Sequence, residues 1–173
     1  MKVHIMKLDK QFSELNAEFI SPTYGIIDLE EITNTIAQQT CEEPEDYRLI
    51  VGTDSKRRDI CAVYVTVIIL YHTGKGGTYF YQRSRSEIGK HSLQATIFHE
   101  TALSLATAAK LDELLKKKGI SKLEIEIHSD VGSHGKTKKL IKEVVSWIDS
   151  SGYSCCIKPQ SFGASSVADK YTD

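Results

Sequence analysis

Hydrophobic and polar positions along this chain fall into stretches of two periods. From residue 28 the period is helical. Asp28 suits an N-cap, Glu31 stands three residues on, and Leu29, Ile32 and Ile36 recur at helical spacing. The helix should end near Thr40, before the acidic loop Glu42-Glu43-Pro44-Glu45-Asp46. Residues 47–53 (YRLIVGT) then read as a strand ending at Asp54. Residues 60–72 (ICAVYVTVIILYH) form a long β-branched run, a second strand. The loop Thr73-Gly74-Lys75-Gly76-Gly77 reverses it, and residues 78–85 (TYFYQRSR) return as the hairpin partner. Residues 92–118 read as one long helix, and residues 123–129 (LEIEIHS) alternate strictly, as a strand does. Gly132 to Gly135 is a tight turn. Residues 137–150 form an amphipathic helix with Leu140, Ile141, Val144, Val145 and Ile148 on its apolar side. Residues 153–158 (YSCCIK) are a last strand stopped by Pro159, and residues 164–171 (ASSVADKY) a short terminal helix. Residues 1–25 are mixed, with turn signals at Ser21-Pro22 and Gly25.

The order is a helix, then β-β-β-α-β-α-β-α. It predicts an α/β fold: a five-stranded mixed sheet, a three-strand meander followed by parallel strands, with helices on both faces. No repeat or linker interrupts the 173 residues. They are expected to form a single domain with an N-terminal arm and extra helix at about 1–42.

Composition narrows the class. The chain is 40% apolar and 26% charged, ordinary for a globular protein. No apolar run approaches the ~20 residues a membrane span needs, and the N-terminus has no apolar signal core. Cysteines 41, 61, 155 and 156 lack CxxC spacing and suit a reducing cytoplasm. Net charge is −1, but residues 1–50 carry −6 and residues 51–173 carry +5. Lys56, Arg57 and Arg58, then Arg83 and Arg85, then Lys136, Lys138, Lys139 and Lys142 form basic clusters that suit a polyanionic ligand.

Four carboxylates stand out by position. Asp54 ends an apolar strand. Glu100 is the only acid between residues 88 and 111, on a helix apolar on both sides: Leu93, Ile97, Leu103 and Leu111 share its side, with Phe98 and Leu105 opposite. A carboxylate buried there needs a cation, either a basic side chain or a metal. Asp130 lies on the polar face of LEIEIHSD, at the strand's C-terminal end, where α/β sheets gather ligands. If that strand is the parallel neighbour of 47–53, Asp54 and Asp130 come within about one strand spacing, ~5 Å. Asp169 in GASSVADKY gains meaning only in their company.

The combination of strand Asp, helix Glu, strand Asp and terminal-helix Asp on this element order resembles the RNase H-like superfamily. More closely, the chain is similar to the bacterial YkuK-like family of predicted RNase H-like nucleases. FISPTYG (19–25), VGTDSK (51–56), YHTGKGGTYFY (71–81), HSD-VG (128–132) with GKT (135–137), and KPQSFGASSVADKY (158–171) carry that resemblance. Thr53-Asp54-Ser55 lacks the Gly that precedes the Ser in RNase H itself. Asp130-Val131-Gly132 stands where Asp-Ser is usual.

The resemblance implies a phosphodiester hydrolase acting on RNA, DNA or a hybrid through two Mg²⁺ or Mn²⁺ ions, hard cations suited to oxygen ligands. Asp54 would bridge both ions, Glu100 and Asp130 would hold the one on the leaving side, and Asp169 the one carrying water. Ser55, Lys136, Lys158, Ser165 and Lys170 are candidate substrate contacts, with Lys136 and Thr137 opening a helix whose amides favour an anion. The alternative is a non-catalytic nucleic-acid- or protein-binding module that keeps the fold. DVGSHGKT (130–137) imitates a phosphate-binding loop, but Asp130 stands where the first Gly belongs.

Overall fold

The computed structural model describes residues 18–58, 61–87 and 92–172. The expected N-terminal arm, through residue 17, lies outside them. The strands are β1 (Phe19–Ser21), β2 (Gly25–Ile27), β3 (Tyr47–Arg58), β4 (Cys61–His72), β5 (Gly76–Glu87), β6 (Ile125–Gly132) and β7 (Ser154–Lys158). The helices are α1 (Leu29–Thr40), α2 (Leu93–Lys117) and α3 (Ile141–Ser150). Asp28 caps α1 as its sequence demands. Its carboxylate accepts from the Glu31 amide at 2.8 Å and its own amide donates to the Glu31 carboxylate at 3.0 Å.

The sheet has seven strands, not five, in the order β2-β1-β5-β4-β3-β6-β7. The two additional strands form a short hairpin on the edge of β5, with Ile20 paired to Tyr81. Three residues each are too few to show a period of two, and only their turn was visible in the sequence. β3, β4 and β5 are antiparallel, whereas β3–β6 and β6–β7 are parallel. The meander strands run longer than expected: β3 continues past Asp54 to Arg58, in register with β4 throughout.

Alternation along β3 separates two cores. Leu49 and Val51 face the larger one, built from α1, α2 and α3 with Ile32, Ile36, Leu111 and Ile148. Ile50 faces the smaller one, with Val65, Val67, Ile69, Val167 and Ala168. Among the described residues, α1, α2 and α3 cover the first face, and the terminal helix expected over 164–171 covers the second in shortened form, as a five-residue π-helical turn, Ala164–Ala168. That turn sits close because residue 163 is Gly. A Cβ there would lie 2.7 Å from Ile50 Cγ2 and 3.3 Å from His128 Nδ1. The Gly163 amide donates to His128 Nδ1 at 3.1 Å and pins the segment to the sheet.

Candidate active site

Two spacings place the first pair of acids. Along β3, Thr53 and Ser55 point to the helix side, ~6.6 Å apart. Along α2, Glu100 and Ser104 are one turn, ~6 Å, apart. The two ladders therefore match rung for rung. Ser104 Oγ donates to Thr53 Oγ1 at 2.9 Å, and Ser55 Oγ donates to Glu100 Oε1 at 2.6 Å. Ser55 also turns its amide to Asp54, donating to Oδ1 at 2.8 Å. The hydroxyl expected to meet substrate is thus engaged by Glu100.

Parallel pairing of β3 with β6 sets Gly52 opposite His128, so Asp54 and Asp130 lie two residues further on in neighbouring strands. The terminal turn brings Asp169 within electrostatic reach of the Asp54 carboxyl. Burial, then the neighbouring Asp130 and Asp169 charges, push the Asp54 pKa up to about 6 against the pull of the Ser55 amide. Glu100 is 7% exposed. Burial chiefly, with Asp54 and Asp130 adding repulsion, raises its pKa to about 8 despite the Ser55 hydroxyl and Lys158. Glu100, Asp130 and Asp169 are therefore all brought within electrostatic reach of Asp54, in the C-terminal half of β3.

Lys158 answers part of this charge. Its ammonium donates to Asp130 Oδ2 at 2.8 Å. Asp130 Oδ1 is buried and has no hydrogen-bond partner. A buried acceptor left open among acids is the position a cation would satisfy. The donor set is all oxygen, which suits a hard ion such as Mg²⁺ or Mn²⁺. Lys136 lies exposed in the β6–α3 connection, and Ser165 lies half-buried in the terminal turn. The reading of Lys136 and Thr137 as a helix opening is corrected: α3 begins at Ile141 after a 3₁₀ turn (Lys138–Leu140), and Thr137 Oγ1 instead accepts from the Gly132 amide at 3.2 Å.

A second group went unforeseen. Glu126, His128 and Cys156 hold ligand-type atoms within 4.8 Å of one another. Its charge is already matched within the protein. Arg48 grips Glu126 with two hydrogen bonds, at 2.8 and 2.6 Å, and holds its pKa down. His128 Nδ1 accepts from Gly163, so Nε2 carries the proton and faces Glu126 Oε2 at 3.4 Å. Burial lowers the His128 pKa, and burial first and Glu126 second raise that of Cys156, so both stay neutral. A metal here would have to displace Arg48. The arrangement is a closed polar network under the terminal turn. Residue-by-residue reading missed it because Arg48, Glu126 and Cys156 come from three strands. A cavity of about 530 Å³ lies at the other end of the sheet, between Asp112, Leu123, Asp149 and Tyr153, away from the four acids.

A mixed α/β sheet, with a strand Asp at its centre and acids arriving from a helix, the next parallel strand and a terminal turn, defines the ribonuclease H-like class of fold. The family model described as Ribonuclease H-like matches residues 29–173, and the chain belongs to that family. It is also 36% identical over 136 residues to "Uncharacterized protein YkuK" of Bacillus subtilis (strain 168), covering 73% of this chain and 79% of that one. No solved structure matches the chain. Among the described residues no helix is long and apolar enough to cross a membrane.

Proposed function

We propose that this protein is a divalent-metal-dependent nuclease that hydrolyses phosphodiester bonds in nucleic acid at Asp54, Glu100, Asp130 and Asp169. The observation that carries the reading is the convergence of a helix acid, a parallel-strand acid and a terminal-turn acid around Asp54. Burial first, with repulsion from the neighbouring acids added, raises Asp54 to about 6 and Glu100 to about 8, so Glu100 is held largely protonated near neutral pH. A protein that used the fold only as a scaffold gains nothing from repulsion among buried acids. Membership of the Ribonuclease H-like family supports the same reading.

Asp54 has acids on both sides of it and would be shared between two ions. Glu100 and Asp130 would hold one, and Asp169, exposed on the terminal turn, the other. Bound Mg²⁺ or Mn²⁺ would supply activation of water and stabilisation of the charge that builds on the phosphoryl group and leaving oxygen. The protein's own part is positional. Ser55 fixes the Asp54 and Glu100 carboxylates relative to each other, and Lys158 orients Asp130 while keeping Oδ1 directed inward. Glu100 must give up its proton for binding, so metal affinity should rise with pH.

The test is thermal melting with Mn²⁺, native protein against Asp54→Asn, followed by cleavage assays on single strands, duplexes and RNA–DNA hybrids. A ligand that binds only the folded state at 100 times its Kd stabilises by about 2.7 kcal/mol. Absence of any shift in the native protein at millimolar Mn²⁺ would leave the non-catalytic binding module as the better description.

A further inference from the structure

We propose that the thinly covered face of the sheet carries a single-stranded nucleic-acid track, on which a base stacks against Tyr171 while Arg83 and Arg85 hold phosphates flanking the cleavage site. The proposal rests on the nuclease reading and specifies its substrate. Directly paired residues share a face, so the register assigns the surface row by row. One row crosses all seven strands: Ile26, Ile20, Tyr81, Val67, Gly52, His128 and Cys156. The next row holds Asp54, Val65 and Arg83, and the one after it Lys56, Val63 and Arg85. Arg83 therefore stands two strands, ~10 Å, from Asp54 on the same face, and Arg85 ~7 Å further along β5. Both arginines are exposed.

The aromatic part is rigidly built. Tyr171, two residues beyond Asp169, lies flat on Tyr81 with ring centroids 3.7 Å apart and planes 12° from parallel. Its hydroxyl pairs with that of Tyr79 at 2.9 Å. One ring face is thus packed on Tyr81, while the residue as a whole stays only half-buried. Past Tyr81 in the same row the surface stays apolar to the edge: Ile20 is 41% exposed and Ile26 69%. A flat apolar strip flanked by arginines and ending at four acids is complementary to a chain with stackable bases and anionic linkers. A duplex offers base edges and hides base faces, so it cannot use the strip. A second copy of this chain would cover the isoleucines but gives the arginines no role.

Fluorescence anisotropy in metal-free buffer, where no cleavage occurs, tests the track. The probes are single-stranded RNA and DNA 12-mers and a duplex of the same sequence. Single strands should bind at least tenfold tighter than the duplex. Tyr171→Ala should weaken them roughly five- to hundredfold, the range for losing one stacked base, while Tyr171→Phe keeps the stack and the affinity. Arg83→Gln with Arg85→Gln should lower the salt slope for single strands by about 1.4, at ~0.7 per phosphate contact. Ile26→Glu, at an open position with no packing to lose, should also weaken single strands and guards against misfolding of the tyrosine variant. Equal affinity for duplex, or unchanged single-strand binding by both Tyr171→Ala and Ile26→Glu, overturns the proposal. So does concentration-dependent dimerisation that Ile26→Glu abolishes without affecting binding. The Mn²⁺ melting shift should survive in Tyr171→Ala, so failure of the track and failure of the metal centre are separate results.

Discussion

The Ser55 hydroxyl donates to Glu100 at 2.6 Å while the Ser55 amide donates to Asp54 at 2.8 Å. One residue thereby sets the relative positions of two carboxylates that are 46 positions apart in the chain. It can do so because a two-residue step along β3 is nearly as long as one turn of α2.

Replacing Asp54 with Asn keeps the shape and removes a charge that three other acids oppose. The metal-free variant should melt at or slightly above the native temperature, since repulsion at a half-buried site is relieved. Its Mn²⁺-induced shift should vanish and cleavage should fall by at least a hundredfold. Differential scanning fluorimetry with and without millimolar Mn²⁺ reads the first two effects on one plate. A variant that melts well below native would mean that Asp54 is a structural acid.

The two raised pKa values give the metal-free protein a pH dependence of definite sign. Unfolded, Glu100 ionises near 4.5, and folded at about 8. The folded state therefore holds this proton more tightly. Below pH 4.5 both states are protonated and stability is full. Between 4.5 and 8 the unfolded chain ionises first, so stability falls, and above 8 it levels off. Asp54, moving from 3.8 to about 6, adds to the lower part of the decline. Chemical denaturation from pH 4.5 to 8.5 should show this slope, and Glu100→Gln should flatten its upper half. Added Mn²⁺ should reverse the trend in the native protein, because binding strengthens as Glu100 ionises. A native protein that gains stability steadily over this range without metal would refute the burial argument.

Much of this centre was legible in the chain because each acid announces itself by local contrast. Glu100 breaks an apolar helix, Asp130 follows an alternating run, and Asp54 follows an apolar one. The element order then supplied the parallel pairing that brings Asp54 and Asp130 together. The sheet's edge was not legible, since β1 and β2 are too short to carry a period and owe their existence to the exposed edge of β5. Nor was the uneven helix cover, three helices on one face and a single turn on the other. Apolar stripes say that a helix packs, but not against which face of a sheet. The Arg48–Glu126–His128–Cys156 network was hidden for a further reason: it depends on cross-strand register, which no single segment encodes.

Gly163 is the position where a small change should reach the acids indirectly. An added methyl would meet Ile50 Cγ2 at 2.7 Å, in a core too tight to give way freely. The terminal turn would have to lift, weakening the bond from the Gly163 amide to His128 and carrying Asp169 with it. Gly163→Ala should cost about 1–3 kcal/mol of stability, typical of overpacking, and should reduce the Mn²⁺ shift without abolishing it, because Asp54, Glu100 and Asp130 stay in place. Hydrogen exchange should localise the loosening to residues 163–172. Native-like protection there, with a normal Mn²⁺ response, would show that the turn does not hold Asp169 in position.

The closed network beneath that turn makes the opposite prediction for metal. Arg48 is drawn to Glu126 by two charge-assisted hydrogen bonds, and its guanidinium also lies 5.7 Å from the centre of the Phe162 ring. Arg48→Met removes the cation from a carboxylate that is only 20% exposed, and leaves His128 and Cys156 as its remaining donors. The Glu126 pKa should rise and stability at neutral pH should drop by about 2–4 kcal/mol, the cost of stranding a largely buried charge. Cys156→Ser removes only a weak donor and should leave both stability and the Mn²⁺ shift close to native. If Zn²⁺ or Mn²⁺ stabilisation were instead lost in Cys156→Ser and kept in Asp54→Asn, the metal centre would lie at Glu126, His128 and Cys156, and the four acids would need another explanation. The guanidinium already bonded to both oxygens of Glu126 is the reason to expect the first outcome.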